Sequence, residues 1–463
     1  MDDRSPRARR IPRWLLVFAA ICAAISTGIA LGVIGLGSDG SSGGPAPGTS
    51  PSPAVQAADL PAGQEKHTDP RNEAIARLLE RRATAMRTHD RAAYLATIDP
   101  GAKAFHDVQA AAFDNAAQIP FASWDYELVA ADAFTLPAQR LATFGGTTVF
   151  TAQVDLTYRI DGFDSAPVRS PQYLTFVLRD GAWLIAADTD GADQGMGGAV
   201  QVWDLGPVSV LRGDSGIVLG VGDKTDLRSY QKDMDVAVPD VHKVWGRAWA
   251  GKAVVIVPAN QEQMARLLGA EPQKYVRIAA VTTGERGADT ESAAADRVIV
   301  NPDAFRELGA VERRVVMTHE ITHVASRAFT RNWTPTWLSE GFADYVGYLN
   351  SGQTIRSAAP ELRRDVREGR VPQTLPTDEQ FETTQEALPQ AYEMGWLACR
   401  MIAERWGEEK LVEFYRAVGE APSDGAGQPD QKSRLTSAFV SVLRISPAEF
   451  TTEWVAYVQE QVK

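Results

Sequence analysis

His319, Glu320 and His323 stand together as His-Glu-Ile-Thr-His, and seventeen positions after His323 comes Glu340, in the run Trp337-Leu338-Ser339-Glu340-Gly341-Phe342-Ala343-Asp344-Tyr345. Residues four apart on a helix project from one face, so His319 and His323 can offer two imidazole nitrogens to one tetrahedral metal. Glu320, next along, then reaches a water at that metal. The chain has 6 His among 463 residues, so a chance HExxH is expected on the order of 0.01 times. The competing interpretation is an amphipathic helix whose histidines are core or surface residues.

Positioning these groups requires two helices. Residues 311–330 carry Val315, Val316, Val324 and Phe329 at helical spacing, which predicts a mostly buried helix around the motif. After Arg331-Asn332-Trp333, Thr334 and Pro335 form an N-cap and first-turn pair, predicting a second helix that carries Glu340. A helix, a turn and a returning helix would bring Glu340 back over the histidines.

These segments resemble the gluzincin peptidases, the group that includes thermolysin-like and aminopeptidase families, and more closely the compact bacterial peptidase MA-like domains. The resemblance rests on HExxH followed by W-L-x-E-G-x-A-[DE]-Y, here His319 to His323 and Trp337 to Tyr345. It implies zinc as cofactor, Glu340 as third ligand and Glu320 as general base. It further implies Asp344 as the carboxylate that accepts a hydrogen bond from a liganding histidine. A variant in which Asp344 ligates directly stays open. A third segment, Tyr392-Glu393-Met394-Gly395, is similar to the family's Y-E-x-G stretch, which implies Tyr392 as donor to the oxyanion. A packing tyrosine is the alternative.

Departures from the family narrow the expectation. Only 16 residues separate His323 from Glu340, a short linker for this group, so the inter-helix turn must be tight. No G-x-M-E-N segment precedes the motif, so an exopeptidase is not supported. Metzincins would need Gly at 326 and His at 329, where Ser326 and Phe329 stand. The short run Arg297 to Pro302 suggests an edge strand facing an active-site cleft and able to pair with an extended peptide, or else a core strand.

The amino terminus suggests a location. Arg4, Arg7, Arg9, Arg10 and Arg13 precede 23 uncharged residues from Trp14 to Leu36. This pattern predicts a transmembrane helix over 14–36, with 1–13 cytoplasmic and the catalytic domain extracytoplasmic, as in a single-pass cell-membrane protein. A cleaved signal peptide is the rival. Gly28 and Gly32 form a G-x-x-x-G that suits self-association of such anchors. Residues 37–66, rich in Ser, Gly and Pro, read as a flexible linker. Cys22 and Cys399 are the only cysteines, so there is no disulfide framework. A net charge of -12 argues against a nucleic-acid partner.

The rest divides into two domains, 67–195 and 196–463. In the first, a helix with Ile75, Leu78, Leu79 and Met86 precedes strands such as 149–160 and 172–178, in an order that resembles an NTF2/SnoaL-like α+β cone. Phe121, Trp124 and Tyr126 are either its core or the lining of a pocket. His89 and His106, and His242 in the second domain, have no partner at ligand spacing. The second domain begins with strands near 206–211, 217–220 and 253–257 and helices near 227–245 and 261–268, a mixed β/α lobe before a helical lobe. The expected fold class is thus α+β: a transmembrane helix, an NTF2-like cone, then a gluzincin-like metallopeptidase domain. The expected function is a membrane-anchored zinc endopeptidase acting on peptides or proteins. The alternative is a binding or scaffold protein in which the NTF2-like domain carries the role and the peptidase fold is inactive.

Overall fold

A computed structural model of the protein describes residues 69–222, 227–283, 295–382, 385–420 and 430–463. Asp69 accepts a hydrogen bond from the Arg71 amide at 2.8 Å and Pro70 fills the first turn, starting helix α1, Pro70–Arg87. Helices α2 (Arg91–Leu95) and α3 (Lys103–Ala116) follow. Strands β1 (Phe121–Ala131), β2 (Val149–Ile160), β3 (Val168–Arg179) and β4 (Ala182–Ala187) then form an antiparallel meander in that order, with the short α4 (Ala138–Ala142) between β1 and β2. Ile75, Leu78 and Leu79 of α1 bury against Phe150, Ala152, Val154, Leu174 and Phe176 of the sheet.

A second sheet has five strands: β5 (Val208–Arg212), β6 (Gly216–Val221), β7 (Ala253–Val257), β8 (Ala280–Thr282) and β9 (Val298–Val300), in the order β5-β6-β7-β9-β8. The inner strands β6, β7 and β9 are parallel, and β5 and β8 close the two edges antiparallel. Helices α5 (Leu227–Trp245) and α6 (Gln261–Leu267) make the crossovers. Every residue of β6, β7, β8 and β9 is buried, as a sheet covered on both faces requires. One face, with Val218, Val255 and Val300, packs on α5 and the helices that follow. The other face, with Ile217, Leu219, Ile256 and Ile299, shares a core with Leu156, Tyr158 and Ile160 at the end of β2 and with Trp124 and Trp203. The two sheets are therefore joined by a continuous apolar interface.

The carboxy-terminal half is helical: α7 (Pro302–Phe305), α8 (Ala310–Ser326), α9 (Thr336–Leu349), α10 (Ile355–Ala358), α11 (Pro360–Arg367), α12 (Leu388–Trp406), α13 (Glu408–Gly419), α14 (Gln431–Ala438) and α15 (Pro447–Gln461). Helix α9 lies between α8 and α12.

Three expectations are corrected. The single-pass membrane architecture and its extracytoplasmic placement give way to an α+β fold in which, among the described residues, no helix is long and apolar enough to cross a membrane. Residues 14–36, Gly28 and Gly32 and the 37–66 linker, on which that expectation was placed, lie outside the described residues. The long helices that are present bury only part of their surface: α5, for example, carries Lys232, Asp235 and Lys243 beside its buried Met234, Val238 and Val241. Second, of the two readings of the run Arg297 to Pro302 the edge strand gives way to the core strand: Val298–Val300 is an inner strand between β7 and β8, and the edge is Ala280–Thr282. Pro302 starts α7 behind an Asn301 cap, so the proline marks the strand's end and says nothing of its neighbours. Third, Thr334 does not cap α9. Its hydroxyl accepts from the Arg331 amide at 2.9 Å, while the Thr336 amide at the start of α9 donates to Asp378 at 2.8 Å, a cap supplied 42 residues downstream.

Candidate metal centre

Helix α8 carries its motif where the chain is most enclosed: Val315 to His323 are all buried, which explains its weak amphipathicity. The spacing of four turns His319 and His323 the same way, with ring centroids 4.7 Å apart and Nε2 atoms 3.0 Å apart. Glu340 Oε2 lies 3.4 Å from each Nε2.

Glu340 reaches them because α9 approaches both neighbours closely. A Cβ on Gly341 would collide with the Gly395 carbonyl of α12, and one on Gly395 would stand 2.8 Å from the Trp337 carbonyl oxygen. On the other side of α9, a Cβ on Gly347 would lie 3.0 Å from the Val315 carbonyl oxygen of α8. The glycine after Glu340 thus serves helix contact, and so does the glycine of Tyr392-Glu393-Met394-Gly395.

The donor atoms of His319, His323 and Glu340 lie within 4.8 Å of one another and form the one such group among the described residues. Two ligands about 2.0–2.1 Å from a tetrahedral zinc stand about 3.3 Å apart. The observed 3.0 and 3.4 Å separations fit that geometry. Two nitrogens and a carboxylate oxygen also suit zinc chemically. Asp344 sits elsewhere, with Oδ1 2.9 Å from His319 Nδ1, on the opposite side of the ring from the convergence point.

Burial disfavours a charged His319, but the hydrogen bond to Asp344 and the contact with Glu340 outweigh it and push the imidazole up to about 10. Burial likewise opposes a charged Glu340, yet His323 and His319 hold its carboxyl well below the usual range. In the metal-free protein, protonated imidazole supplies the positive charge that a divalent cation would replace.

Glu320 is fully buried, and the Thr282 hydroxyl donates to its Oε2 at 2.7 Å from the edge strand β8. The sequence offers no sign of Thr282, which is 38 positions away on a strand that packs beside α8. Tyr392 is fully buried with its ring edge-on to Phe381 at 5.1 Å. Its neighbour Glu393 accepts from the amides of Glu361 and Leu362, capping α11. His89, His106 and His242 do not join the metal-ligand group. Phe121 and Trp124 pack at 4.8 Å in a cluster with Trp203, while Trp124 and Tyr126 also line a cavity of about 320 Å³.

No family model matches the chain, and no curated protein matches it. Nine solved chains match. One is an M1 zinc metallopeptidase from Deinococcus radiodurans, in a mutant form bound to a Tyr-Ser-Ala substrate, at 13% identity and a TM-score of 0.32. The match covers 68% of this chain and 61% of that one, so the chain spans less than two thirds of its length.

Proposed function

We propose that the protein is a zinc metallopeptidase that hydrolyses peptide bonds, with residues 196–463 as the peptidase domain and 67–195 as an accessory domain. The observation that carries this is the convergence of His319, His323 and Glu340 within 4.8 Å, beside a glutamate that is next to one of those ligands in the chain. His319, His323 and Glu340 would hold the zinc, which when bound acidifies a water and polarises a scissile carbonyl.

The chain's own groups do the rest. Asp344 accepts a hydrogen bond from His319 Nδ1–H, so that the Nε2 lone pair is directed at the shared centre. Thr282 orients Glu320 through its hydroxyl. Glu320 takes the proton of the attacking water and delivers it to the leaving amine. The Tyr392 hydroxyl is assigned to the oxyanion as its charge develops. No G-x-M-E-N segment stands ahead of the motif to bind a substrate's amino terminus, which favours an endopeptidase over an exopeptidase.

The test is Glu320→Gln, which keeps side-chain shape and removes the base. Zinc content and melting temperature should match the wild type, while cleavage of an unbiased peptide library falls by about 10²–10⁴-fold. Equal cleavage by both proteins sinks the mechanism, and a wild type that binds zinc without cleaving any peptide returns the chain to the binding-protein alternative.

A further inference from the structure

Four buried charges of alternating sign lead from the amino-terminal sheet to the metal helix. β2 ends at Ile160, and a turn through Gly162, at φ 76, brings Asp164 back so that its Oδ2 accepts from the Ile160 amide at 2.6 Å. The fixed carboxylate receives both arms of Arg297: Nη1 to Oδ1 at 2.6 Å and Nη2 to Oδ2 at 2.7 Å. Adjacent in the chain, Asp296 accepts from Arg327 Nε at 2.6 Å. Arg327 opens the short turn that ends α8, one helical turn past His323.

All four side chains are enclosed, at 7 and 1% exposure for Arg297 and Asp164 and 6 and 1% for Arg327 and Asp296. Adhesion does not require them, because Leu156, Tyr158 and Ile160 already join the two sheets through apolar contact. Buried ion pairs are poor glue compared with apolar packing, but a two-armed guanidinium contact defines direction sharply and is little screened. The arrangement therefore serves orientation.

Resting on the metallopeptidase reading above, we propose that Asp164 and Arg297, acting through Asp296 and Arg327, are positioning residues that aim His323 at the metal. The amino-terminal unit is then part of the metal centre and not a spacer.

The experiment uses the full chain loaded with cobalt(II), whose visible absorption reports ligand geometry, together with kcat and KM for peptide cleavage. Asp164→Asn keeps shape and removes the charge that holds Arg297. It should shift the cobalt band and lower kcat by about 10–100-fold, the usual range for groups that orient metal ligands, with KM unchanged. Arg327→Lys, which keeps charge but loses the guanidinium geometry, should do the same and decides the matter if Asp164→Asn does not fold. Lys252→Ala is the control: Lys252 donates to the Gly162 carbonyl at 3.2 Å and lies over the Phe163 ring, so it touches the same turn outside the charge series. It should leave band and kcat unchanged. A wild-type band in either folded variant, or an equal change in Lys252→Ala, overturns the positioning role while leaving the metal centre intact. A wild-type chain that takes up no cobalt overturns the metal centre, and the positioning role with it.

Discussion

Asp344 Oδ1 lies 2.9 Å from His319 Nδ1, and neither side chain is exposed to solvent. This contact decides which nitrogen of the ring is available. With Nδ1 committed to the carboxylate, Nε2 faces His323 and Glu340, and in the proposed zinc site Asp344 would orient His319 without itself being a ligand.

Removing the two carboxylates should therefore have different effects. Asp344→Ala should weaken zinc binding by about 10–100-fold. Glu340→Ala opens the ligand set and should leave no stoichiometric zinc after dialysis against a mild chelator. Zinc content measured across graded chelator strengths checks both. Loss of zinc in Asp344→Ala with retention in Glu340→Ala would falsify the ligand assignment.

The metal-free protein should have a stability optimum bounded on both sides by the site. His319 is raised from 6.5 to about 10, so its contribution is complete below pH 6.5 and is lost as pH rises through about 10. Glu340 is depressed from 4.5, so its contribution is present above that value and is lost as pH falls. Melting temperature in chelator should decline from pH 6.5 to 10. Saturating zinc should abolish that decline, because the cation takes the place of the proton on Nε2. Parallel melting curves with and without zinc would show that His319 is not in the site.

Gly341→Ala tests the helix contact. The added methyl meets the backbone carbonyl of Gly395, which cannot rotate away as a side chain would. Overpacking of this kind costs about 1–3 kcal/mol, and a denaturant midpoint shift of that size is expected. An unchanged midpoint would mean that α9 and α12 are not held by this crossing.

Tyr392→Phe separates chemistry from packing at a fully buried position against Phe381. As an oxyanion donor, its loss should lower kcat by about 10²–10³-fold with zinc content unchanged. Wild-type turnover would make Tyr392 a packing residue.

The features legible from residue order alone lie within single helices and strands. The spacing of His319 and His323, and that of Glu340 and Asp344, became geometry as soon as the segments were helical, because a helix converts intervals of four into a shared face. The apolar runs of β6 and β7 were legible for the same local reason. Tertiary structure alone decided the relations between segments. Strand order made Val298–Val300 internal and Ala280–Thr282 the edge, which put the Thr282 hydroxyl on Glu320. The cap of α9 came from Asp378, and Arg297 found Asp164 across 133 residues. Lateral neighbours in a sheet and buried charge partners leave no periodic trace, since their pairing depends on which surfaces the whole chain brings together and not on the residues beside them.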